Sequence, residues 1–393
     1  MHKSPFLEKT KTLPTDAAKE IHSTAISHRF ETEELRRLAP KVVEQLAASG
    51  LFRMGLPKFL GGWEDDPVEV LKAYEELSSS EAAIGWSVWN NHLACTFGRY
   101  LDEESMREIY KDTSHVYANS ARPEGVAEIV EGGYNVSGRW TLVSGCEISD
   151  WFVLRCLVTG EGLPSTLGPG AKLKLFFIPK EAIEIIDTWH VGGLKGTGSH
   201  DVKVENHFVK EAYAVDFDSP VAIDNAYSRL PIGCLNSAGC AAIALGILKA
   251  ATDDLVKICL ERVTPGKNPD LRDRDRIQSV VAKSITTLNA LRGQLHKSVA
   301  GIWEESKKGN TYTDIQLADV WSASYEAGTN AKAMVSEIYA AAGTVSLYTE
   351  NKIERAHRDI FAVLQHGIIQ PHWMNQAGMA YLGLKPNGAM FRI

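Results

Sequence analysis

Cysteine is scarce and unpaired in this sequence. Six of 393 residues are Cys (Cys95, Cys146, Cys156, Cys234, Cys240 and Cys259), with no C-x-x-C pair and no Cys/His group at zinc spacing. The residues therefore suggest neither a disulfide framework nor a zinc site, and no metal is expected; six reduced core thiols in a cytoplasmic protein are. Basic charge is also short. Lys+Arg number 42 against 49 Asp+Glu, a net charge of −7. A nucleic-acid partner needs a dense basic face to displace counterions, so none is expected. No run approaches the ~18 apolar residues of a membrane helix. The N-terminus, MHKSPFLEKTKTLPTDAAKE, lacks the apolar stretch of a secretory signal. The expectation is a cytoplasmic chain that binds neither membrane nor nucleic acid.

Familiar catalytic words are missing too. Gly196-Thr-Gly198 runs on into Ser199-His-Asp201, which is neither a dinucleotide fingerprint nor a Walker loop. There is no H-E-x-x-H, and no G-x-S-x-G elbow. Kinase, P-loop, zinc-protease and α/β-hydrolase chemistries fall away.

What is present is an ordinary globular composition, 44% hydrophobic and 23% charged, with nine Trp. Three textures follow one another. Up to residue 113 the chain reads helical. Leu35, Leu38, Val42, Val43, Leu46 and Leu51 recur at helical spacing with Gly50 as a stop. Further helices are expected from Pro67, over Ala82 to Gly98, and from Asp102. The second of these is apolar on most faces and should be buried. Between 114 and 220 the period shortens. Val116–Ser120, Ala127–Val130, Tyr134–Ser137, Trp151–Val158, Lys172–Ile178 and Val202–Asn206 read as strands, with a hairpin at Glu131-Gly-Gly133. Short strands at this density predict a compact β-barrel or sandwich. From 221 to 393 long helices return: Asn236 to Arg262, Asp273 to Ser306, Thr313 to Gly343 after a Thr313/Gln316 capping box, and Glu350 to Gly383 with a break at Pro371. They predict a four-helix bundle. The fold class is thus α+β, mostly α, in three domains: 1–113 helical, 114–220 β-barrel, 221–393 bundle.

That order, with four words inside it, resembles the acyl-CoA dehydrogenase superfamily. The words are Ala47-Ala-Ser-Gly-Leu-Phe-Arg-Met-Gly-Leu-Pro-Lys-Phe-Leu-Gly-Gly62, Gly138-Arg-Trp-Thr-Leu-Val-Ser-Gly145, Trp189-His-Val-Gly-Gly-Leu-Lys-Gly-Thr-Gly-Ser-His-Asp-Val202 and Glu354-Arg-Ala-His-Arg-Asp359. One departure carries more weight than the matches. Dehydrogenases of this fold usually place a proton-abstracting Glu about eight residues beyond the last Arg-Asp pair. Here the segment reads Arg358-Asp-Ile-Phe-Ala-Val-Leu-Gln-His-Gly367. Without the base, dehydrogenation of an acyl thioester loses its first step.

A His in that slot, with Ser144 before Gly145, is similar to the flavin-dependent two-component monooxygenases of the same fold. The resemblance implies an oxygenase that takes FADH2 or FMNH2 from a separate NAD(P)H:flavin reductase. It adds O2 to form a C4a-hydroperoxyflavin and transfers one oxygen atom to a small aromatic substrate, indole or a phenol. It also implies roles: Ser144 and His366 at the flavin ring and the peroxide, and His92 orienting or polarising substrate. Ser120 is a second substrate contact, and Trp86 and Trp89 wall the substrate pocket. For the flavin it implies Trp140, Trp189, Thr197 and Ser199, with Arg262 and Gln278 reaching it from a neighbouring subunit of a homotetramer, a dimer of dimers. Arg355, Arg358 and Asp359 are expected to form a structural ion-pair network. The rival readings are an acyl-CoA dehydrogenase or oxidase of the same fold and a non-catalytic helical scaffold.

Overall fold

A computed structural model describes residues 12–64, 66–261 and 270–393. Among the described residues six α-helices come first: α1 (Pro14–Ser27), α2 (Arg29–Leu35), α3 (Pro40–Ser49), α4 (Pro67–Ser80), α5 (Ala82–Thr96) and α6 (Glu103–Ile109). Proline opens α1, α3 and α4 in the first turn, where its missing N–H has no helical partner to lose. Asp66 and Asp102 cap α4 and α6 by accepting the N–H of Val68 and Ser105. Gly50 ends α3 with a φ of 83°, as expected. Leu35 and Leu38 do not share the helix of Val42. The chain turns at Arg36 (φ 54°) and Pro40 starts a new helix.

Seven strands follow: β1 (Tyr117–Val130), β2 (Gly133–Val143), β3 (Trp151–Thr159), β4 (Lys172–Pro179), β5 (Glu184–Ile186), β6 (His200–Lys210) and β7 (Ala214–Val215). They form one sheet in the order β5-β6-β2-β1-β3-β4-β7, with only β1 and β3 parallel. β4 comes close to β6 although three strands separate them, so the sheet curls back on itself. Two expected strands, Val116–Ser120 and Ala127–Val130, are one: β1 runs through both, with its register against β3 shifted between Ser120 and Gly125. Gly132, at φ 79°, makes the β1–β2 turn.

Five helices complete the chain: α7 (Ile232–Glu261), α8 (Asp275–Lys308), α9 (Asp314–Ala342), α10 (Lys352–Val363) and α11 (Pro371–Tyr381). The Thr313/Gln316 capping box forms at the start of α9. The last expected helix is broken over Leu364–Gln370, before Pro371, because the residue preceding a proline disfavours helix. α7 does reach membrane-helix length and apolarity, contrary to expectation. Yet 89% of its most apolar window is buried within the protein, so its apolarity is that of a core helix.

The chain divides into two compact units. The first holds the chain up to α4, then Ser87–His190 and Lys195–Arg229, and so contains the sheet. The second holds Asp66–Trp86, Val191–Leu194 and Leu230–Ile393. In it α7 is the hub, packed by α4, α8, α9 and α10. Small residues make the approach possible: a Cβ on Gly246 would lie 2.4 Å from the Glu75 carbonyl oxygen. The six cysteines are all buried free thiols.

Candidate functional site

In the first unit the chemistry gathers at α5 and at the ends of β2 and β6. His92 on α5 is buried, and its Nε2 lies 2.7 Å from the Tyr227 hydroxyl. The two rings stack at 25° with centroids 6.1 Å apart. Burial first, then the charge of Arg99, push the imidazole down to about 3, so it is neutral at physiological pH. The helix is held to the sheet by its neighbour. Asn91 donates to the Phe52 carbonyl (2.5 Å) and accepts the Tyr117 N–H (2.9 Å). Asn119 of β1 donates to the Asn90 carbonyl at 2.8 Å. The next residue, Ser120, is buried opposite Leu154 of β3. Trp89 is buried on α5.

Ser144, at the end of β2, joins a line of three buried hydroxyls. Ser144 Oγ is 2.8 Å from Ser199 Oγ, which is 2.7 Å from Thr197 Oγ1. Gly145, at φ 76°, donates its N–H to the Thr197 carbonyl at 2.7 Å. Two words that lie 55 residues apart at Ser144 and Ser199 thus meet through backbone and side chain. Trp189 belongs to the same loop, its indole N–H on the Lys195 carbonyl at 3.1 Å. Trp140 lies deeper in the sheet. Its ring is wholly enclosed in the sheet's core, its indole N–H bonded to the Arg155 carbonyl at 2.8 Å. Gly125 and Gly138 lie against the ring so closely that a Cβ on Gly125 would sit 2.0 Å from it. The ring packs the core of the sheet.

In the second unit His366 sits not in a helix but in the break between α10 and α11. Its Nδ1 accepts the Ile368 N–H at 3.2 Å, which leaves any ring N–H on Nε2. Its ring meets Trp86 edge-on, centroids 5.6 Å apart at 75°. Of the expected network, the two arginines form ion pairs, each with a glutamate. Arg355 donates to Glu81 at 2.8 Å with both side chains buried, and Arg358 donates to Glu354 and to the Gly192 carbonyl. Asp359 accepts the Leu194 N–H at 2.7 Å; burial and the charge of Glu81 raise its carboxyl above the usual range. Gln278 is exposed at the start of α8, donating to the Arg272 carbonyl at 3.1 Å. Arg262 lies outside the described residues.

Sequence reasoning missed Tyr227, Arg99 and Gly55. A Cβ on Gly55 would lie 2.6 Å from His92 Cδ2 and 2.7 Å from its carbonyl oxygen, so this glycine alone lets the chain pass behind the imidazole. Tyr227 stands in an aperiodic loop before α7, 135 positions from its partner. No local signal marks such a pairing.

The donor set suits a flavin, a ring whose edge alternates donors and acceptors. Each unit also keeps buried polar atoms that find no hydrogen-bond partner among the described residues. Ser87 Oγ and Asn90 Oδ1 on α5 are two, and Asn236 Oδ1 and Ser237 Oγ on α7 are two more. Such groups are costly unless something polar meets them.

Residues 11–110 match the acyl-CoA dehydrogenase N-terminal domain, and residues 238–371 the acyl-CoA dehydrogenase C-terminal domain. Indole-3-acetate monooxygenase of Pseudomonas putida is 28% identical over 91% of this chain and 90% of its own length. The HsaA oxygenase subunit of a flavin-dependent monooxygenase from Rhodococcus jostii is 27% identical, over 87% and 90%. The crystal structure of a 3-HSA hydroxylase from Rhodococcus sp. RHA1 superposes with a TM-score of 0.88 at 24% identity, covering 96% of this chain and 99% of that one.

Proposed function

The chain belongs to the acyl-CoA dehydrogenase family, and on that premise we propose that it is the oxygenase component of a two-component flavin-dependent monooxygenase acting on a small aromatic ring, indole or a phenol. The observation that carries this reading is the segment after Asp359. It has no carboxylate in the base position, and it presents a neutral-tautomer His366 beside Trp86 instead. That arrangement cannot abstract the α-proton of an acyl thioester as a Glu would. The names of the relatives point the same way.

Reduced flavin, FADH2 or FMNH2, supplies the electrons that activate O2 when it is bound. The protein's part is positioning and exclusion of water. Ser144 would place its hydroxyl at the flavin N5, held there by Ser199, which is held in turn by Thr197. Trp189 would cover the ring, and His366 would present its Nε2–H to it. Trp86, Trp89, His92 and Ser120 would receive the substrate. Arg262 and Gln278 would reach the flavin of a neighbouring subunit in a homotetramer. The reduced flavin would come from a separate reductase in the cytoplasm.

Titration with FADH2 or FMNH2 under argon, then mixing with O2 in the presence of indole or phenol, tests the reading. Binding of reduced flavin and incorporation of one atom of O2 into the ring are expected. Anaerobic bleaching of tightly bound FAD by an acyl-CoA would establish the dehydrogenase reading instead. No affinity for flavin would leave the scaffold.

A further inference from the structure

We propose that Tyr227 is the proton outlet of His92: the imidazole passes the proton it takes from substrate through the Tyr227 hydroxyl to the cavity that the tyrosine lines. The proposal rests on the substrate-side role of His92 given above and adds to it the residue that completes it.

The geometry fixes the pair from three sides. Tyr227 Oη lies 2.7 Å from His92 Nε2, both residues being 6% exposed, and the rings stack. Gly55 backs the imidazole with no space to spare. The loop bearing Tyr227 is pinned by Arg99, whose Nη1 donates to the Ser228 carbonyl at 2.6 Å and whose own carbonyl accepts the Ala222 N–H at 2.8 Å. Asn225 closes the loop on itself by accepting the Ser228 N–H at 2.8 Å. Its Nδ2 donates to Glu64 at 2.6 Å. Glu64 is held at a φ of 45°, a left-handed conformation uncommon outside glycine.

Beyond Tyr227 lies a cavity of ≈ 30 Å³ walled by Glu64, Thr96, Arg99, Asn225, Tyr227 and Ser228. Pro57, Cys95 and Ile223 also line it, so much of the wall is apolar; such a volume accommodates about one water, for which Glu64, Arg99, Asn225 and Ser228 offer polar partners. Glu64, Arg99, Asn225 and Ser228 are half-buried, so the cavity reaches the surface. The pair therefore has protein on one side and a cavity open toward the surface on the other.

An outlet is needed because the imidazole cannot store a proton. Burial and Arg99 hold it near 3. Arg99, Glu64 and Cys95 line the cavity beside the pair, and Asp224 and Arg229 pair with each other on the loop that carries Tyr227. The thiol of Cys95 is pushed up to about 12 by burial and does not compete. When the ring is oxygenated, the N–H or O–H of an indole or phenol becomes acidic. That proton bonds to one imidazole nitrogen, the Nε2–H proton moves to Tyr227 Oη, and the tyrosine's own proton passes to water in the cavity. Each group gives one proton and receives one, and no electrons change hands. The carboxylate of Glu64 steadies the positive charge at the exit.

The experiment is single-turnover oxygenation of indole or phenol by the full chain loaded with reduced flavin. Tyr227→Phe, Glu64→Gln and the unaltered protein are compared across pH 6 to 9, in H2O and D2O. Tyr227→Phe keeps the stacked ring and removes only the hydroxyl, and reduced-flavin binding checks that it folds. Product formation is expected to slow about ten-fold, to rise with pH where the unaltered protein is flat, and to change its solvent isotope effect. Glu64→Gln is expected to show the same pattern, weaker. Three results would overturn the proposal. Tyr227→Phe could oxygenate within two-fold of the unaltered protein. It could be slowed equally at every pH with the isotope effect unchanged, which would make Tyr227 packing alone. If the unaltered protein oxygenates neither ring, the function proposed above falls, and the relay with it.

Discussion

Arg355→Met is expected to destabilise the second unit by about 3–5 kcal/mol, the cost of leaving a buried carboxylate without its cation. The structure supplies the reasoning. Arg355 Nη1 lies 2.8 Å from Glu81 Oε2, and the two side chains are 8% and 4% exposed. Asp359, one turn along α10, is buried as well and feels both the Glu81 charge and the opposing charge of Arg355. Coulomb attraction at ~4 Å and an effective dielectric of ~20 is about 4 kcal/mol, in line with that range. Met keeps most of the alkyl stem, so the loss reports charge rather than packing. The deficit should depend on pH with a definite sign. The Asp359 carboxyl is already raised, and removal of a nearby cation raises it further. A native state that holds its proton more tightly than the unfolded chain is favoured below the ordinary carboxylate range. That advantage is lost as pH rises through the raised native value. The deficit should therefore be larger at pH 8 than at pH 5.5. Urea unfolding followed by tryptophan fluorescence at both values measures it. A loss below about 1 kcal/mol, or one equal at the two pH values, would refute the argument.

The remaining expectations are simpler. Asp359→Asn keeps an oxygen for the Leu194 N–H, so it should raise stability at pH 8 and flatten its pH dependence, at about 1.4 kcal/mol per unit of raised pKa removed. Urea melts at pH 5.5 and 8 with unchanged slope between them would count against it. Gly125→Ala would drive a methyl into the enclosed Trp140 ring; about 1–3 kcal/mol should be lost, and a denaturation midpoint equal to the parent's would contradict the packing role given to that ring. Ser144→Ala and His366→Ala should each slow product formation or raise the share of reduced flavin lost as peroxide, by about 10²-fold if each hydrogen bond acts in the oxygenation step. Coupling ratios identical to the parent's would remove both from the site.

Much of the architecture was legible because it is written in local periods. The 3.6-residue stripe and the Thr313/Gln316 box give α8 and α9, and alternation gives the strands. Where one signal had to be joined to another, the reading stopped short. The register shift between Ser120 and Gly125 hid a single strand inside two, and the turn at Arg36 hid a helix boundary inside one apolar stripe. The site divides along the same line. His92, Ser144 and His366 were marked by their place in recognisable words. Tyr227, Arg99 and Gly55 act through contacts between distant segments, which no window of sequence contains. Trp140 shows the converse. It stands in the right word, but the glycines across the sheet enclose it.

The division into two units has a consequence for how the protein is made. The chain passes between them at residues 65/66, 86/87, 190/191, 194/195 and 229/230, so neither is a continuous stretch of message. α4 emerges from the ribosome with Val70, Leu71, Tyr74 and Leu77 ready to be covered, yet α7, which covers part of that face, is synthesised much later. At roughly 5–20 residues per second, the intervening chain takes on the order of ten to forty seconds to appear. For that time the part of α4 that α7 covers is without its native partner.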